Sequence, residues 1–157
     1  MYYDFWEKNP CKFIFCGSNG YIDPNTFIVR FDGLGHFYNF PGWISLVQIS
    51  RQDDSLVYCT LGNRILFKST NGGIRWNTIS NFNALSLNPF NDNVLFASEM
   101  ISNGMRNLFK TTDGGLTKIL VDSIPTYDEH SDILFYDKDS NYIYRVAYYY
   151  LQDRDVY

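Results

Sequence analysis

The chain has 157 residues, of which 45% are hydrophobic and 18% aromatic, so it can bury a core and does not belong to the disordered class. Its net charge is −4, with 13 basic and 17 acidic residues and no basic block, which excludes phosphate-driven binding to nucleic acid. No apolar run approaches the roughly 20 residues of a membrane helix, and the first residues lack the features of a signal peptide. We therefore expect neither membrane insertion nor a nucleic-acid partner.

Short apolar segments with a period near two, separated by polar turns, predict β-strands along the whole chain, without a convincing helix. The first group of predicted strands lies at about 2–6, 11–16, 26–30 and 36–40. The second group lies at about 44–49, 55–60, 64–68 and 74–79. The third group lies at about 84–87, 93–98, 107–111 and 116–120. A fourth group begins with strands at about 132–136 and 141–150.

Two segments, 66–73 and 108–115, share an apolar pair, a lysine, two hydroxyl-bearing residues, an Asx residue and two glycines. A weaker third copy surrounds Asp32. Asp32 and Asn71 are 39 residues apart, and Asn71 and Asp113 are 42 residues apart. Four short strands in a repeat of about 40 residues are typical of one blade of a β-propeller.

We therefore predict an all-β fold of about three and a half four-stranded antiparallel blades, within a single propeller segment that covers residues 1–157. The predicted blades span about 2–41, 43–80 and 83–121, with a partial fourth blade at 131–157.

The repeated segments resemble the Asp box, or BNR repeat, with the pattern Ser/Thr-x-Asp-x-Gly-x-Thr-Trp. This motif occurs in propellers of sialidases, xyloglucanase-type glycoside hydrolases, sortilin-like receptors and photosystem assembly factors. Segment 69–76 has Asn71 at the Asp position and Arg75 at the Thr position, whereas segment 111–118 has Lys118 at the Trp position. The residues that carry the resemblance are Asp32, Ser69, Asn71, Gly73, Trp76, Thr111, Asp113 and Gly115.

The physical role of this motif is local. The Asx side chain and the hydroxyl accept hydrogen bonds from the backbone of the turn, glycine permits a positive φ, and the aromatic ring covers the turn. We therefore interpret these residues as structural rather than catalytic. In the family that it resembles, the turn lies at the periphery, away from the substrate face.

Enzymes of this family provide catalytic patterns against which the sequence can be compared. The sialidase motif Phe/Tyr-Arg-Ile-Pro has its nearest match at 27–30, which lacks the proline, so Arg30 is interpreted as a strand-end residue. Glycoside hydrolysis otherwise needs two carboxylates roughly 5–10 Å apart across the sugar. Asp128, Glu129 and His130 are the weak catalytic candidates, and the alternative is that they are ordinary solvated loop residues. No second histidine or cysteine partner accompanies His130, so neither a metal nor another cofactor is expected.

The resemblance implies that the binding face is formed by the loops that join the second strand of a blade to its third strand and each blade to the next. Within these loops Trp43, Arg106, Tyr127 and His130 are the candidate binding residues. Aromatic and arginine side chains suit sugar or protein surfaces, and packing between blades is the alternative, especially for Trp43.

A closed propeller needs at least four blades, so the terminal blades of this chain would expose apolar surface and strand edges. A longer propeller, another copy, or another protein could each cover them. The first functional hypothesis is a non-enzymatic scaffold or protein-interaction module, within a larger assembly or a longer propeller. The alternative is a carbohydrate-active or glycan-binding fragment similar to sialidases or xyloglucanases. The compartment stays open, and the resemblance implies an extracellular, cell-surface or particle-associated protein.

Overall fold

The computed structural model describes residues 2–5, 13–18, 25–31, 35–41, 44–61, 65–81, 84–101, 105–125, 131–135 and 143–147. These residues form fourteen β-strands and no helix, so the described part of the chain has no helix that could cross a membrane.

The strands form three four-stranded sheets and one two-stranded sheet, all antiparallel, and within each sheet the strands follow chain order. The first sheet contains β1 (Tyr2–Phe5), β2 (Phe13–Ser18), β3 (Asn25–Phe31) and β4 (Gly35–Pro41). The second contains β5 (Ile44–Ile49), β6 (Val57–Leu61), β7 (Ile65–Ser69) and β8 (Asn77–Asn81). The third contains β9 (Ala84–Leu87), β10 (Leu95–Ile101), β11 (Met105–Thr111) and β12 (Ile119–Pro125). The fourth contains β13 (Ser131–Phe135) and β14 (Ile143–Ala147).

The sheets are stacked through their first strands, because β1 contacts β5, β5 contacts β9, and β9 contacts β13. Each of these strands is an edge of its own sheet. The sheets are therefore arranged one after another with corresponding strands adjacent, as in the blades of a propeller.

Strand β6 is buried at every position from Val57 to Leu61, because its sheet is covered on both faces. On one face, Val57 and Cys59 belong to a cluster of the first and second sheets that also includes Ile44, Val47, Ile49 and Leu61, with Tyr38, Phe67 and Trp76 packed against it. On the other face, the second and third sheets share a cluster of Leu56, Tyr58, Leu66, Leu95, Ala97 and Phe109. Because successive side chains of a strand point to opposite faces of the sheet, alternate residues of β6 belong to two different cores.

A third cluster lies on the face of the third sheet that points away from the second sheet. There Phe96 and Leu108 form a smaller buried cluster, with Val94 packed against it. Strand β10 contacts β13 of the fourth sheet on this side.

The all-β class and the four-stranded antiparallel sheets are confirmed by this architecture. Several strand limits differ from the sequence-based expectation, among them those of β2 and β12. Strand β2 covers Phe13–Ser18 rather than 11–16, and β12 covers Ile119–Pro125 rather than 116–120. The second difference has a local cause, because residues up to Thr117 are held in the preceding turn by Asp113.

Candidate functional site

Two double-glycine turns have the same position in successive sheets. The turn at 69–76 joins β7 to β8 in the second sheet, and the turn at 111–118 joins β11 to β12 in the third. In the first turn, the Gly73 N–H donates to Ser69 Oγ at 2.8 Å, and the Arg75 N–H donates to Asn71 Oδ1 at 2.7 Å. The Ser69 hydroxyl in turn donates to Asn71 Oδ1 at 3.0 Å. Gly72 and Gly73 have φ values of 66° and 88°, in the region that glycine adopts without a steric penalty.

Trp76 closes the first turn. Its Nε1–H donates to the Gly73 carbonyl at 2.9 Å, while the ring packs against the core between the first and second sheets. The side chain therefore fixes the turn with its polar edge and extends the core with its apolar surface.

The second turn repeats this geometry with more hydrogen bonds. The Gly115 N–H donates to Thr111 Oγ1 at 2.9 Å, and the Thr111 hydroxyl donates to Asp113 Oδ1 at 2.7 Å. Asp113 also accepts from the N–H groups of Leu116 and Thr117, each at 3.0 Å, and from the Thr117 hydroxyl at 2.5 Å. The hydrogen bonds from Thr117 are the main reason that the pKa of the Asp113 carboxyl lies well below its usual range.

Lys118 stands at the position that corresponds to Trp76. Its ammonium lies 4.6 Å from the centre of the Phe109 ring and 2.8 Å from Glu99 Oε2. The Lys118 ammonium, which lies over the Phe109 ring, therefore covers the third sheet at the position where the Trp76 indole covers the second sheet.

The glycines at the tips of the turns bind the hairpin turns between the first two strands of the same sheet. The Gly72 N–H donates to the Ser55 carbonyl at 2.6 Å, and the Gly114 N–H donates to the Asn93 carbonyl at 3.0 Å. Each double-glycine turn therefore ties together the two halves of its own sheet.

The second turn also contacts the neighbouring sheet. The Tyr58 hydroxyl donates to the Gly114 carbonyl at 3.4 Å. A Cβ atom on Gly114 would lie 2.8 Å from Lys68 Nζ, and one on Gly115 would lie 3.0 Å from Ile79 Cγ2. A Cβ atom on Gly115 would crowd packed side chains of the second sheet, whereas one on Gly114 would displace the end of the Lys68 side chain; at both positions the positive φ favours glycine.

A row of hydrogen bonds near the inner strands joins the second and third sheets. The Ser50 hydroxyl donates to Asp92 Oδ1, and Gln52 Nε2 donates to the Pro89 carbonyl at 2.8 Å. Further inward, the Leu87 N–H donates to Gln48 Oε1 at 3.1 Å. Burial, together with the charge of Asp92, raises the pKa of Tyr58, whose hydroxyl therefore stays protonated.

Three further carboxylates bind other groups of the fold. Asp53 Oδ1 accepts from the Ser55 N–H at 2.8 Å, Asp122 Oδ1 accepts from the Ser123 N–H at 2.8 Å, and Glu99 pairs with Lys118. Within the described residues, no group of three histidine, cysteine or acidic side chains could hold a metal ion.

A solved structure with a similar fold is that of a GH74 enzyme from Niastella koreensis, with a TM-score of 0.64 over 85% of this chain. This chain has a β-propeller-type fold. At 17% identity the likeness concerns the fold alone, and the chain spans 24% of the length of that enzyme. The sequence matches no protein-family model and no curated protein. From here on, the first, second and third sheets are called the first, second and third blades.

Of the candidate binding residues, Arg106 lies within the described part of the propeller. It belongs to strand β11 instead of a loop, is 3% exposed, and its Nη1 donates to Ser98 Oγ at 3.4 Å. The binding candidates Trp43, Tyr127 and His130 lie outside the described residues, as do the catalytic candidates Asp128 and Glu129 and the turn residue Asp32. Their predicted roles stay predictions.

The far face of the third blade was not predicted as a functional surface, although the repeat could have identified it. Register gives the counterparts: Tyr58 faces Lys68 across β6 and β7 as Phe96 faces Lys110 across β10 and β11. A bulge follows Leu66 in the second blade and Leu108 in the third, which makes Ile79 and Val121 the corresponding extra residues. Val121 is 50% exposed, whereas Ile79 is partly buried by the third blade.

The outer strand β12 also differs in composition from its counterpart β8. Ile119, Leu120 and Val121 occupy the positions of Asn77, Thr78 and Ile79. All three are more than one-third exposed, as is Leu116 in the preceding turn. Exposed apolar side chains at a sheet edge are a feature of interaction surfaces.

Proposed function

We propose that this chain is a non-enzymatic interaction module: propeller blades of the Asp-box type, of which the third presents an exposed apolar outer strand to another protein. In this role the module is part of a larger assembly or a longer propeller.

One observation carries the proposal. Val94, Phe96, Leu108 and Val121 of the third blade correspond to Leu56, Tyr58, Leu66 and Ile79, the surface through which the second blade packs against the third. Phe96 and Leu108 are already buried, whereas Val121 and its neighbours Ile119 and Leu120 on β12 are exposed, so the outer edge of this surface is accessible to a partner. Covering it would bury apolar surface at about 25 cal/mol per Å².

The hydrogen bonds of the double-glycine turns support the assignment to the Asp-box type. A hydroxyl at the first position and an Asx oxygen at the third accept the turn N–H groups in both copies. We therefore interpret these residues as structural: they stabilise the turns of the blades and do not take part in a reaction.

The position of the described acids supports a function without catalysis. Asp92, Asp113 and Glu99 each bind a hydroxyl, an N–H or an ammonium of the fold itself. A glycosidase needs instead two carboxylates that face a sugar.

The experiment is a hydrolysis assay of the purified chain with xyloglucan oligosaccharides and with sialyllactose, following released reducing sugar and free sialic acid. We expect release no faster than in a heat-denatured sample of the chain. Release by the folded chain that disappears in an Asp128→Asn, Glu129→Gln double variant would overturn the proposal.

A second candidate, a carbohydrate-active or glycan-binding propeller fragment, is favoured by the likeness to the GH74 enzyme. Calorimetric titration with the same sugars would test binding without hydrolysis. Saturable heat that is lost in Tyr127→Ala and Trp43→Ala, while thermal unfolding is unchanged, would support this candidate over the interaction module.

A further inference from the structure

An Asn-Gly dipeptide stands in the first double-glycine turn, where the second turn has Asp-Gly. Asn71 precedes Gly72, and Asp113 precedes Gly114. An asparagine followed by glycine is a favourable setting for spontaneous deamidation, because glycine has no side chain to hinder attack by its own backbone nitrogen. At this position the two turns thus differ by one amide, which the chain can convert to a carboxylate without an enzyme.

The reaction needs only the chain, a base and water. After Gly72 loses its amide proton to hydroxide, its nitrogen attacks Asn71 Cγ. A bond forms between this nitrogen and Cγ, the Cγ–Nδ2 bond breaks, and the side-chain nitrogen takes a proton from water and leaves as ammonia. Water then opens the cyclic imide. Cleavage of the new bond to Cγ gives aspartate, whereas cleavage of the original peptide bond gives isoaspartate.

The folded turn restrains both reacting groups. The Gly72 N–H donates to the Ser55 carbonyl at 2.6 Å, and Gly72 is buried, so hydroxide does not reach the proton that must leave. Asn71 Oδ1 accepts from the Ser69 hydroxyl at 3.0 Å and from the Arg75 N–H at 2.7 Å, which fixes the position of Cγ. Attack on Cγ therefore requires these hydrogen bonds to break first.

We propose that Asn71–Gly72 is a modification site, at which the chain deamidates when the hydrogen bonds of the turn break and which the intact turn protects. The inference does not depend on the proposed interaction function.

The intact turn accepts the aspartate product. Asp113 makes the corresponding hydrogen bonds in the third blade, with the hydroxyl two positions before it and the N–H four positions after it. Isoaspartate does not fit, since it lengthens the backbone by one carbon within a turn in which the Gly73 N–H must reach Ser69 Oγ. Deamidation to aspartate thus gives the second blade the carboxylate that the third blade already has.

The experiment follows deamidation of the complete chain in mildly alkaline buffer, with and without urea, by mass spectrometry of its peptides. Electron-transfer fragmentation, with the Asn71→Asp chain as a standard, distinguishes aspartate from isoaspartate. We expect Asn71 to react at least about tenfold more slowly in buffer than in urea, because the turn must open first. The dipeptides at 19–20 and 103–104 are also Asn-Gly and give the intrinsic rate in urea.

Three variants locate the reaction and its protection. Ser69→Ala removes the hydroxyl that binds Asn71 Oδ1 and the Gly73 N–H, and should accelerate deamidation of Asn71 in buffer several-fold. Thr111→Val is the matched control, because it removes the corresponding hydroxyl from the other turn and should leave the rate at Asn71 unchanged. Urea unfolding verifies that both are folded. Gly72→Ala should slow the reaction in urea, where no folded variant is needed.

Four outcomes would overturn the inference. Equal rates for Asn71 in buffer and in urea would show that the turn does not protect it. An unreactive Asn71 in urea, while the other Asn-Gly pairs react, would show that it is not a modification site. Equal acceleration by Ser69→Ala and Thr111→Val would assign the reaction to unfolding of the whole chain. After refolding, equal recovery of isoaspartate and aspartate in the folded fraction would contradict selection of aspartate by the turn.

Discussion

The Tyr58 hydroxyl of the second blade donates a hydrogen bond to the Gly114 carbonyl at the tip of the third blade's turn, across 3.4 Å. This contact joins two residues that are 56 positions apart. It links the motif that builds one blade to the core of the preceding blade.

Removal of this hydroxyl by Tyr58→Phe should lower the free energy of unfolding by about 1 kcal/mol or less, the usual contribution of a neutral hydrogen bond. The ring still fills the core, and the third blade has Phe96 at the corresponding position. Urea unfolding with an unchanged m value is the measurement. A loss above about 3 kcal/mol would mean that the ring itself no longer packs.

The two glycines of the same turn should respond differently to alanine. We expect Gly115→Ala to cost about 3 kcal/mol, because its φ is 102° and its Cβ would meet Ile79, Leu66 and Leu95 in the packed core. Gly114→Ala should cost less, about 1 kcal/mol, because the closest atom is the movable end of Lys68. Urea unfolding of both variants gives the order, and the reverse order would contradict the packing described for this turn.

The strands and turns were predictable from the sequence because each depends on residues that are close in the chain. Asn71 and Asp113 bind N–H groups within four positions of themselves, so the residue types alone indicate the turn. Contacts between blades, such as Ser50 with Asp92 at 42 positions, depend on stacking and leave no local pattern. For the same reason the correspondence between Ile79 and Val121 is recognisable only from the strand register.

Arg106 illustrates the limit for site residues. The sequence predicts strands at 93–98 and 107–111 and therefore places Arg106 in the loop between them, which would expose this side chain for binding. Instead, β10 and β11 pair as far as Ile101 and Met105, so Arg106 lies inside the sheet and is buried. Polar residues at the end of an apolar strand do not reveal whether pairing continues past them.

The Trp76 side chain of the second blade should contribute more to stability than Lys118, which stands at the corresponding position of the third blade. Trp76→Ala should cost about 2 kcal/mol, since it removes both apolar surface from the core and the bond to the Gly73 carbonyl. Lys118→Ala should cost less than about 1 kcal/mol, because its pair with Glu99 is partly solvated. Unfolding followed by circular dichroism compares the two variants, and equal losses would show that the ring of Trp76 adds little to the core.

Asp113 should make the stability of the chain depend on pH in the acidic range. Hydrogen bonds from Thr117 and Thr111 hold its folded-state pKa below the unfolded value of about 3.9, so its stabilisation is complete above the unfolded pKa. That stabilisation is lost as pH falls below about 5 toward the folded-state pKa, since protonation then favours the unfolded chain.

The measurement is urea unfolding of the wild type and of Asp113→Asn between about pH 7 and pH 2.5. The variant should be less stable at neutral pH and should lose less stability on acidification. Asn71→Asp is the matched control: it places a carboxylate in the equivalent turn and should add acid sensitivity, although Arg75 there offers no hydroxyl like that of Thr117. Parallel pH profiles for the wild type and Asp113→Asn would show that the hydrogen bonds of Asp113 do not distinguish its folded from its unfolded state.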